Sequence, residues 1–160
     1  AFTFDLYIPE NYPTSPPLIT HVTPGANQVK ANNGPGGFSP NLHRSSGLVC
    51  LSLLGTWTGP GWNPKTGTIY QVLSSILWGI LGAAHPYYME PGHGGWEGEA
   101  LPVDGPRSDD VIWYTEEVRK GTMQYAILGQ MRSPPKGFEE ILDAHFRCKR
   151  RLILETIESW

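Results

Sequence analysis

Cysteine is scarce in this 160-residue sequence, which contains only Cys50 and Cys148. Two distant cysteines exclude a disulfide-framework fold. The five histidines lack the short spacings of a zinc site, and the sequence contains neither CxxC nor HExxH. Long apolar runs and a signal-like N-terminal segment are also missing. We therefore expect a cytoplasmic or nuclear protein that uses no metal or other cofactor.

An excess of charge of one sign is absent as well, because 12 Lys and Arg face 15 Asp and Glu, for a net charge of -3. Such a balance lacks the electrostatic footprint of a protein that binds nucleic acid or anionic lipid. The glycine-rich stretches 34–37 and 92–98 match no phosphate-binding motif. The composition favours a protein partner or a neutral substrate, and the length predicts a single domain, residues 1–160.

The N-terminal third of the chain has the patterns of short strands. In FTFDLYI (Phe2–Ile8) apolar and polar residues alternate, which predicts a half-buried strand. Several prolines then mark a turn before a second apolar segment, Leu18–Val22. Together these segments predict an antiparallel meander. Because the sequence opens directly on a strand without an initiator Met, we expect it to be a fragment of a longer chain.

Helical patterns dominate the rest of the chain. Apolar residues follow the helical spacing from Thr68 to Leu81. Two more helices are predicted, from Ser108 to the Ser133-Pro134-Pro135 stop and from Phe138 to Trp160. The proline- and glycine-rich segment 91–106 is predicted to be a surface loop. Strands followed by helices indicate an α+β domain.

Five landmarks follow one another along the chain: YPTSPP (12–17), SPNLHRSSGLVCLSLL (39–54), Trp62, the amphipathic helix from Thr68, and HPYYMEPG (85–92). Their order and approximate spacing are similar to those of a ubiquitin-conjugating enzyme (E2) catalytic domain. The sequence resembles this family over nearly its whole length. LLGTWTGPGW, PYYMEPG and RLILETIESW are most similar to the large hybrid E2/E3 enzymes of the Bruce/apollon type.

The resemblance implies a UBC-like fold, with a short β-meander packed against helices and without the family's N-terminal helix and first strand. It also implies the partners of an E2: ubiquitin, an E1 activating enzyme, a substrate lysine and, for some members, an E3 ligase. A catalytically inactive UBC-fold module that binds ubiquitin is the alternative function.

Cys50 matches the thioester cysteine of the family. A thiolate is intrinsically nucleophilic, and the thioester that it forms remains activated toward an amine. From the residues alone, Cys50 could equally pack as a small apolar side chain between Val49 and Leu51. His43 and His85 raise the alternative of a Cys/His protease, but no protease signature accompanies them.

Asn41 matches the asparagine of the family's His-Pro-Asn motif. The resemblance implies that its amide supports the active-site loop and donates to an oxyanion, for which a neutral, fixed donor is suited. Its alternative role is that of a loop asparagine bonded to local backbone. Two features depart from the family pattern: Ser39 replaces the histidine, and the interval to Cys50 is one residue longer than in most members.

Glu90 matches the residue that orients the attacking lysine in many E2s. The resemblance implies the same role for Glu90, since a carboxylate can hold the ammonium group close to the thioester. The alternative is a solvated loop charge. Thr14 replaces the large apolar residue that many E2s insert into a RING ligase, whereas Pro64 retains a proline of that contact. We therefore expect Thr14 and Pro64 to mark a possible E3 contact that departs from ordinary RING docking.

Cys148 lies in HFRCKRRL, where neighbouring cations favour a reactive thiolate. It also lies at the margin of an apolar helical stripe, which favours a structural position on the flank of a helix. The members of this stripe are Phe138, Ile141, Leu142, His145, Phe146, Leu152, Ile153 and Trp160.

Overall fold

A computed structural model of the chain describes residues 1–25, 37–43, 45–89 and 109–160. Strands β1 (Phe4–Tyr7) and β2 (Leu18–His21) come first. Helix α1 (Ile69–Ser74) continues as a π-helical segment, Ser75–Leu81. The predicted α+β composition is confirmed.

The helices of the second half follow in one long run and one separate helix. The run consists of α2 (Asp109–Gly121), a second π-helical segment (Thr122–Gly129) and α3 (Gln130–Arg132). The separate helix is α4 (Glu139–Glu158). Short 3-10 turns occur at Ser52–Leu54 and Pro86–Met89. Both predicted C-terminal helices are thus confirmed, except that Ser108 and the predicted loop 91–106 lie outside the described residues.

The two strands form an antiparallel pair in which Phe4 lies opposite His21 and Tyr7 opposite Leu18. Isolated bridges join Thr20 to Leu48 and Leu42 to Val49, and so place a hairpin beside β2. The predicted meander is therefore present with shorter strands. Its first strand ends before Ile8 because Pro9, which has no N–H, follows.

Helix α1 begins at a capping box, which fixes where this element starts. The Thr68 hydroxyl accepts from the Gln71 amide at 3.1 Å, and the Gln71 side chain accepts from the Thr68 amide at 2.9 Å. Val72, Ile76 and Ile80 are buried, one helical turn apart. The helix predicted over Thr68–Leu81 is confirmed.

One continuous core joins the sheet, the hairpin and the helices. Its buried members are Ile19, Phe38, Leu42, Val49, Leu54, Val72, Ile76, Ile80 and Ala126. Gly121 approaches Gly37 so closely that a Cβ there would lie 1.8 Å from the Gly37 carbonyl oxygen. This approach lets the end of α2 pack directly against the segment leading into the hairpin, since no side chain fits between them.

Helix α4 buries only part of its apolar stripe. Phe146 is buried and Leu142 and Ile153 are partly buried, but Ile141 is 62% exposed, Leu152 is also mostly exposed, and Cys148 is exposed. Only a narrow side of α4 therefore faces the rest of the described structure, and Cys148 lies outside that side. Within the described residues, no helix has the length and apolar character needed to cross a membrane.

His21 is buried in an aromatic cluster, with an exposed fraction of 5%. Its ring centroid lies 5.1 Å from that of Phe38 and 5.2 Å from that of Phe4. Its Nε2 atom lies 2.7 Å from the Thr23 hydroxyl, which also accepts from the Thr3 amide. Burial lowers the pKa of His21 from 6.5 to about 4, since a charged imidazole is poorly solvated there.

We predict that acid destabilises the fold through His21. Because the pKa of His21 is lower in the folded state, His21 takes up a proton near pH 6.5 in the unfolded chain but only near pH 4 in the folded protein. The contribution of His21 to the free energy of unfolding should be complete above pH 6.5 and decline by up to about 3 kcal/mol as the pH falls toward 4. Urea unfolding across this range measures it. The His21→Gln variant should show a flatter dependence, and equal slopes would exclude His21 as the titrating group.

Candidate active site

Asn41 and Cys50 face each other at the base of the hairpin. The Cys50 amide donates to the Asn41 carbonyl oxygen at 2.8 Å, and the Asn41 side-chain Nδ2 donates to the Cys50 carbonyl oxygen at 3.0 Å. The Leu42–Val49 bridge follows directly, so the pairing continues into the hairpin. The structure therefore brings together the two residues that the sequence singled out as nucleophile and oxyanion donor.

A tight turn delivers Asn41 to this position. The Leu42 amide donates to the Ser39 carbonyl oxygen at 2.9 Å, and Pro40 occupies the second position of the turn, where its fixed φ fits. The Ser39 hydroxyl lies 3.5 Å from Asn41 Oδ1, at the long limit of a hydrogen bond. Asn41 is only 2% exposed, and its NH2 group carries a second donor beyond the one bonded to Cys50.

The longer interval between Asn41 and Cys50 is accommodated at the tip of the hairpin. The His43 amide donates to the Leu48 carbonyl oxygen, and the Gly47 amide donates to that of His43, both at 2.8 Å. Gly47 has a φ of 69°, in the left-handed region that favours glycine. Because the base pairs regularly, a tip of this length does not displace Asn41 from Cys50.

A third side chain, which the sequence did not single out, holds the backbone around Cys50. The Thr56 hydroxyl accepts from the Leu51 amide at 3.0 Å and donates to the Val49 carbonyl oxygen at 2.6 Å. Thr56 lies in LLGTWTGPGW, which contains no catalytic motif, so only the folded chain shows that it spans the residues on both sides of Cys50.

An open cleft of about 410 Å³ adjoins Cys50, between the hairpin and the first π-helical segment. It is mostly apolar, and its lining residues are Asn41, Cys50, Leu51, Ser74, Ser75, Trp78, Gly79, Ile80 and Met89. Trp78 is 75% exposed at its rim. π-helical segments often occur at functional sites, but no spacing in the sequence predicts this one. Trp78 and Ser74 were therefore missed as cleft residues.

Glu90, the predicted lysine-orienting acid, lies outside the described residues, and its role stays a prediction. Its neighbour Met89 lines the cleft. The two histidines of the protease alternative contact residues other than Cys50. His43 Nδ1 lies 2.9 Å from the Ser46 hydroxyl, and the ring of His85 packs edge-on against that of Tyr88, with 6.4 Å between the ring centroids. Over the described ranges, no three His, Cys, Asp or Glu side chains form a metal-binding group.

Thr14 and Pro64 are both exposed, on two loops that a tryptophan joins. The Trp62 indole N–H donates to the Pro13 carbonyl oxygen at 2.7 Å, and its ring lies 5.9 Å from that of Tyr12. This contact holds the two loops side by side. A possible E3 contact through Thr14 and Pro64 stays a prediction.

The comparison with known proteins agrees with this geometry. The ubiquitin-conjugating enzyme family matches residues 1–90. The chain belongs to the ubiquitin-conjugating enzyme family, which is a family of transferases. The UBC-like fold predicted from the sequence is confirmed.

Several large relatives are similar to the chain over nearly all of its length. The human "Dual E2 ubiquitin-conjugating enzyme/E3 ubiquitin-protein ligase BIRC6" is 38% identical over 163 residues, which cover 100% of this chain and 3% of that protein. "Probable ubiquitin-conjugating enzyme protein 17" of Caenorhabditis elegans is 35% identical, covering 99% and 20%. "Ubiquitin-conjugating enzyme E2 Z" of Danio rerio is 34% identical, covering 96% and 44%. The chain thus spans less than half the length of each of these relatives.

We predict that Trp62→Phe weakens the junction between the two loops without unfolding the domain. Phenylalanine keeps a ring against Tyr12 but has no N–H for the Pro13 carbonyl oxygen. Because this hydrogen bond is exposed, the loss of unfolding free energy should be at most about 1 kcal/mol. Urea unfolding checks it. A much larger loss would mean that the indole ring itself carries the packing, and the exposed Pro64→Ala variant serves as the control for loop changes in general.

Proposed function

We propose that residues 1–160 form the catalytic domain of an E2 ubiquitin-conjugating enzyme, part of a longer cytoplasmic or nuclear protein, in which Cys50 carries ubiquitin as a thioester. The observation that carries this proposal is the reciprocal pairing of Cys50 with Asn41 beside an open cleft. Membership of the ubiquitin-conjugating enzyme family supplies the reaction class.

The reaction consists of two acyl transfers. In the first, the Cys50 thiolate attacks the carbonyl carbon of the E1–ubiquitin thioester, and the E1 thiolate leaves. In the second, a substrate lysine amine attacks the Cys50 thioester, loses a proton, and forms an isopeptide bond as the Cys50 thiolate leaves. A thiol suits both steps, because it is a strong nucleophile as thiolate and a good leaving group.

Asn41 has two tasks in this scheme. One N–H of its amide holds the Cys50 carbonyl oxygen and so fixes the base of the hairpin. The second N–H is the donor proposed for the oxyanion that develops when lysine attacks the thioester carbonyl. Because Asn41 is buried and held by its backbone pairing, it needs little reorganisation as the charge develops.

The cleft supplies the surroundings of the thioester. Its apolar walls keep water away from an activated acyl group, while its open side admits the extended C-terminal tail of the modifier. Glu90 follows the cleft residue Met89 in the sequence, and we propose it as the acid that orients the incoming lysine.

The proposed partners follow from the family: ubiquitin, an E1 activating enzyme, and a substrate protein that offers a lysine. Thr14 and Pro64, on the loops joined by Trp62, are the proposed E3 contact. The name of the BIRC6 relative assigns both E2 and E3 activities to that protein. We extend the hybrid E2/E3 activity to the parent of this chain as a proposal.

Charging with E1, ATP and ubiquitin tests the nucleophile. We expect a reductant-sensitive adduct that persists in Cys148→Ser, disappears in Cys50→Ala, and becomes a reductant-resistant ester in Cys50→Ser. A non-reducing gel resolves these species. Because the chain spans only part of its relatives, a version extended at its N terminus is assayed in parallel. If neither version is charged although both bind ubiquitin, the chain is a non-catalytic ubiquitin-binding module.

We predict that Asn41→Ala slows discharge of the thioester to free lysine more than it slows charging. Loss of an oxyanion donor costs about 100-fold in rate. Single-turnover discharge of the preformed thioester measures this step. The surface variant Asn63→Ala should discharge at the parental rate, and parental discharge by Asn41→Ala would refute the oxyanion role.

A further inference from the structure

Thr56 contacts the chain on both sides of Cys50. Its hydroxyl accepts from the Leu51 amide at 3.0 Å and lies 2.6 Å from the Val49 carbonyl oxygen and 3.2 Å from that of Leu51. A hydroxyl has a single hydrogen to donate, and Val49 offers the closer acceptor. The hydroxyl therefore bridges the residue before Cys50 and the residue after it.

Together, Thr56 and Asn41 hold four consecutive backbone polar groups. The Val49 carbonyl and the Leu51 amide bond to the Thr56 hydroxyl, while the Cys50 amide and carbonyl bond to Asn41. We call this arrangement the Cys50 bracket. Val49 is fully buried, yet Cys50 retains partial exposure at the cleft. The bracket thus fixes the backbone at the point where the chain presents its thiol.

A short turn explains how Thr56 reaches back to this point. The 3-10 turn Ser52–Leu54 follows directly, and Gly55 reverses the chain with a φ of 70°. The Gly55 amide donates to the Ser52 carbonyl oxygen at 2.9 Å. A side chain with a Cβ is strained at this φ, so glycine makes the return of Thr56 possible.

We propose that Thr56 is a positioning residue for the acyl-transfer reaction, whose hydroxyl fixes the direction in which Cys50 presents its sulfur to the cleft. The inference rests on the proposed function of Cys50. Thr56 bonds backbone groups and no reacting atom, so it acts through Cys50. Since misplacement of a reacting group by about 1 Å lowers rates steeply, loss of the bridge should slow both charging and lysine discharge. This equal effect distinguishes Thr56 from Asn41.

A pair of substitutions separates the hydroxyl from the rest of the side chain. Thr56→Val keeps the shape and removes the hydroxyl, whereas Thr56→Ser keeps the hydroxyl and removes the methyl group. We expect Thr56→Val to lower the kcat of charging and the rate of lysine discharge each by about tenfold, with little change in the KM of E1 for this domain. Thr56→Ser should keep both rates within about twofold of the parental values. The exposed Thr58→Val change is the matched control and should leave both rates at the parental value.

Rates are measured well below the Tm of each variant, so that a loss of stability alone does not lower them. Parental rates in folded Thr56→Val would overturn the proposal. So would a tenfold loss in Thr56→Ser, which assigns the effect to the methyl group and is decisive even if Thr56→Val does not fold.

Failure of the proposed function is recognised separately, with a chemical probe. In a Cys148→Ser background, iodoacetamide alkylates Cys50 without any need for E1 or ubiquitin. Thr56→Val should change this alkylation rate at least about threefold, whereas Thr56→Ser should not. If the parent is never charged, the alkylation rates still decide whether Thr56 positions the thiol, and equal rates in all three proteins would refute it.

Discussion

The reciprocal hydrogen bonds between Asn41 and Cys50 are the constraint on which the site depends. They close the base of a hairpin whose next pair, Leu42 and Val49, is buried in the core. Burial of that pair fixes the hairpin on the core. The hydrogen bonds then fix the backbone of Cys50 and the side-chain amide of Asn41 relative to each other. Asn41 is itself buried, so water competes little for these hydrogen bonds.

The same core determines where the cleft lies. Val72, Ile76 and Ile80 point inward from α1 and the π-helical segment that continues it, and they share one core with the hairpin. These three residues occupy the face that packs on the core. Ser74 and Trp78, four residues apart, lie on another face and line the cleft together with Cys50. Packing and chemistry are thus coupled through one helix, because the register that buries its isoleucines also builds one wall of the cleft.

The sequence predicted the elements better than it predicted their contacts. The helical spacing over Thr68–Leu81 and the landmark residues Asn41 and Cys50 were readable, because periodicity and ordered motifs are local. The bridge made by Thr56 was not, since it depends on a chain reversal at Gly55. The stripe on α4 is only partly buried, because helical spacing shows which side chains share a face but not how much of that face is covered.

The hairpin separates a fixed end from a variable one. Its base is tied by hydrogen bonds and buried side chains, whereas Ser45 and Ser46 at its tip are exposed. Residues added at the tip lengthen only this exposed loop, so the loop can vary in length while the paired base keeps Cys50 in position. The longer interval between Asn41 and Cys50 lies in this tip, which is therefore a natural point at which to attach a fluorescent reporter close to Cys50.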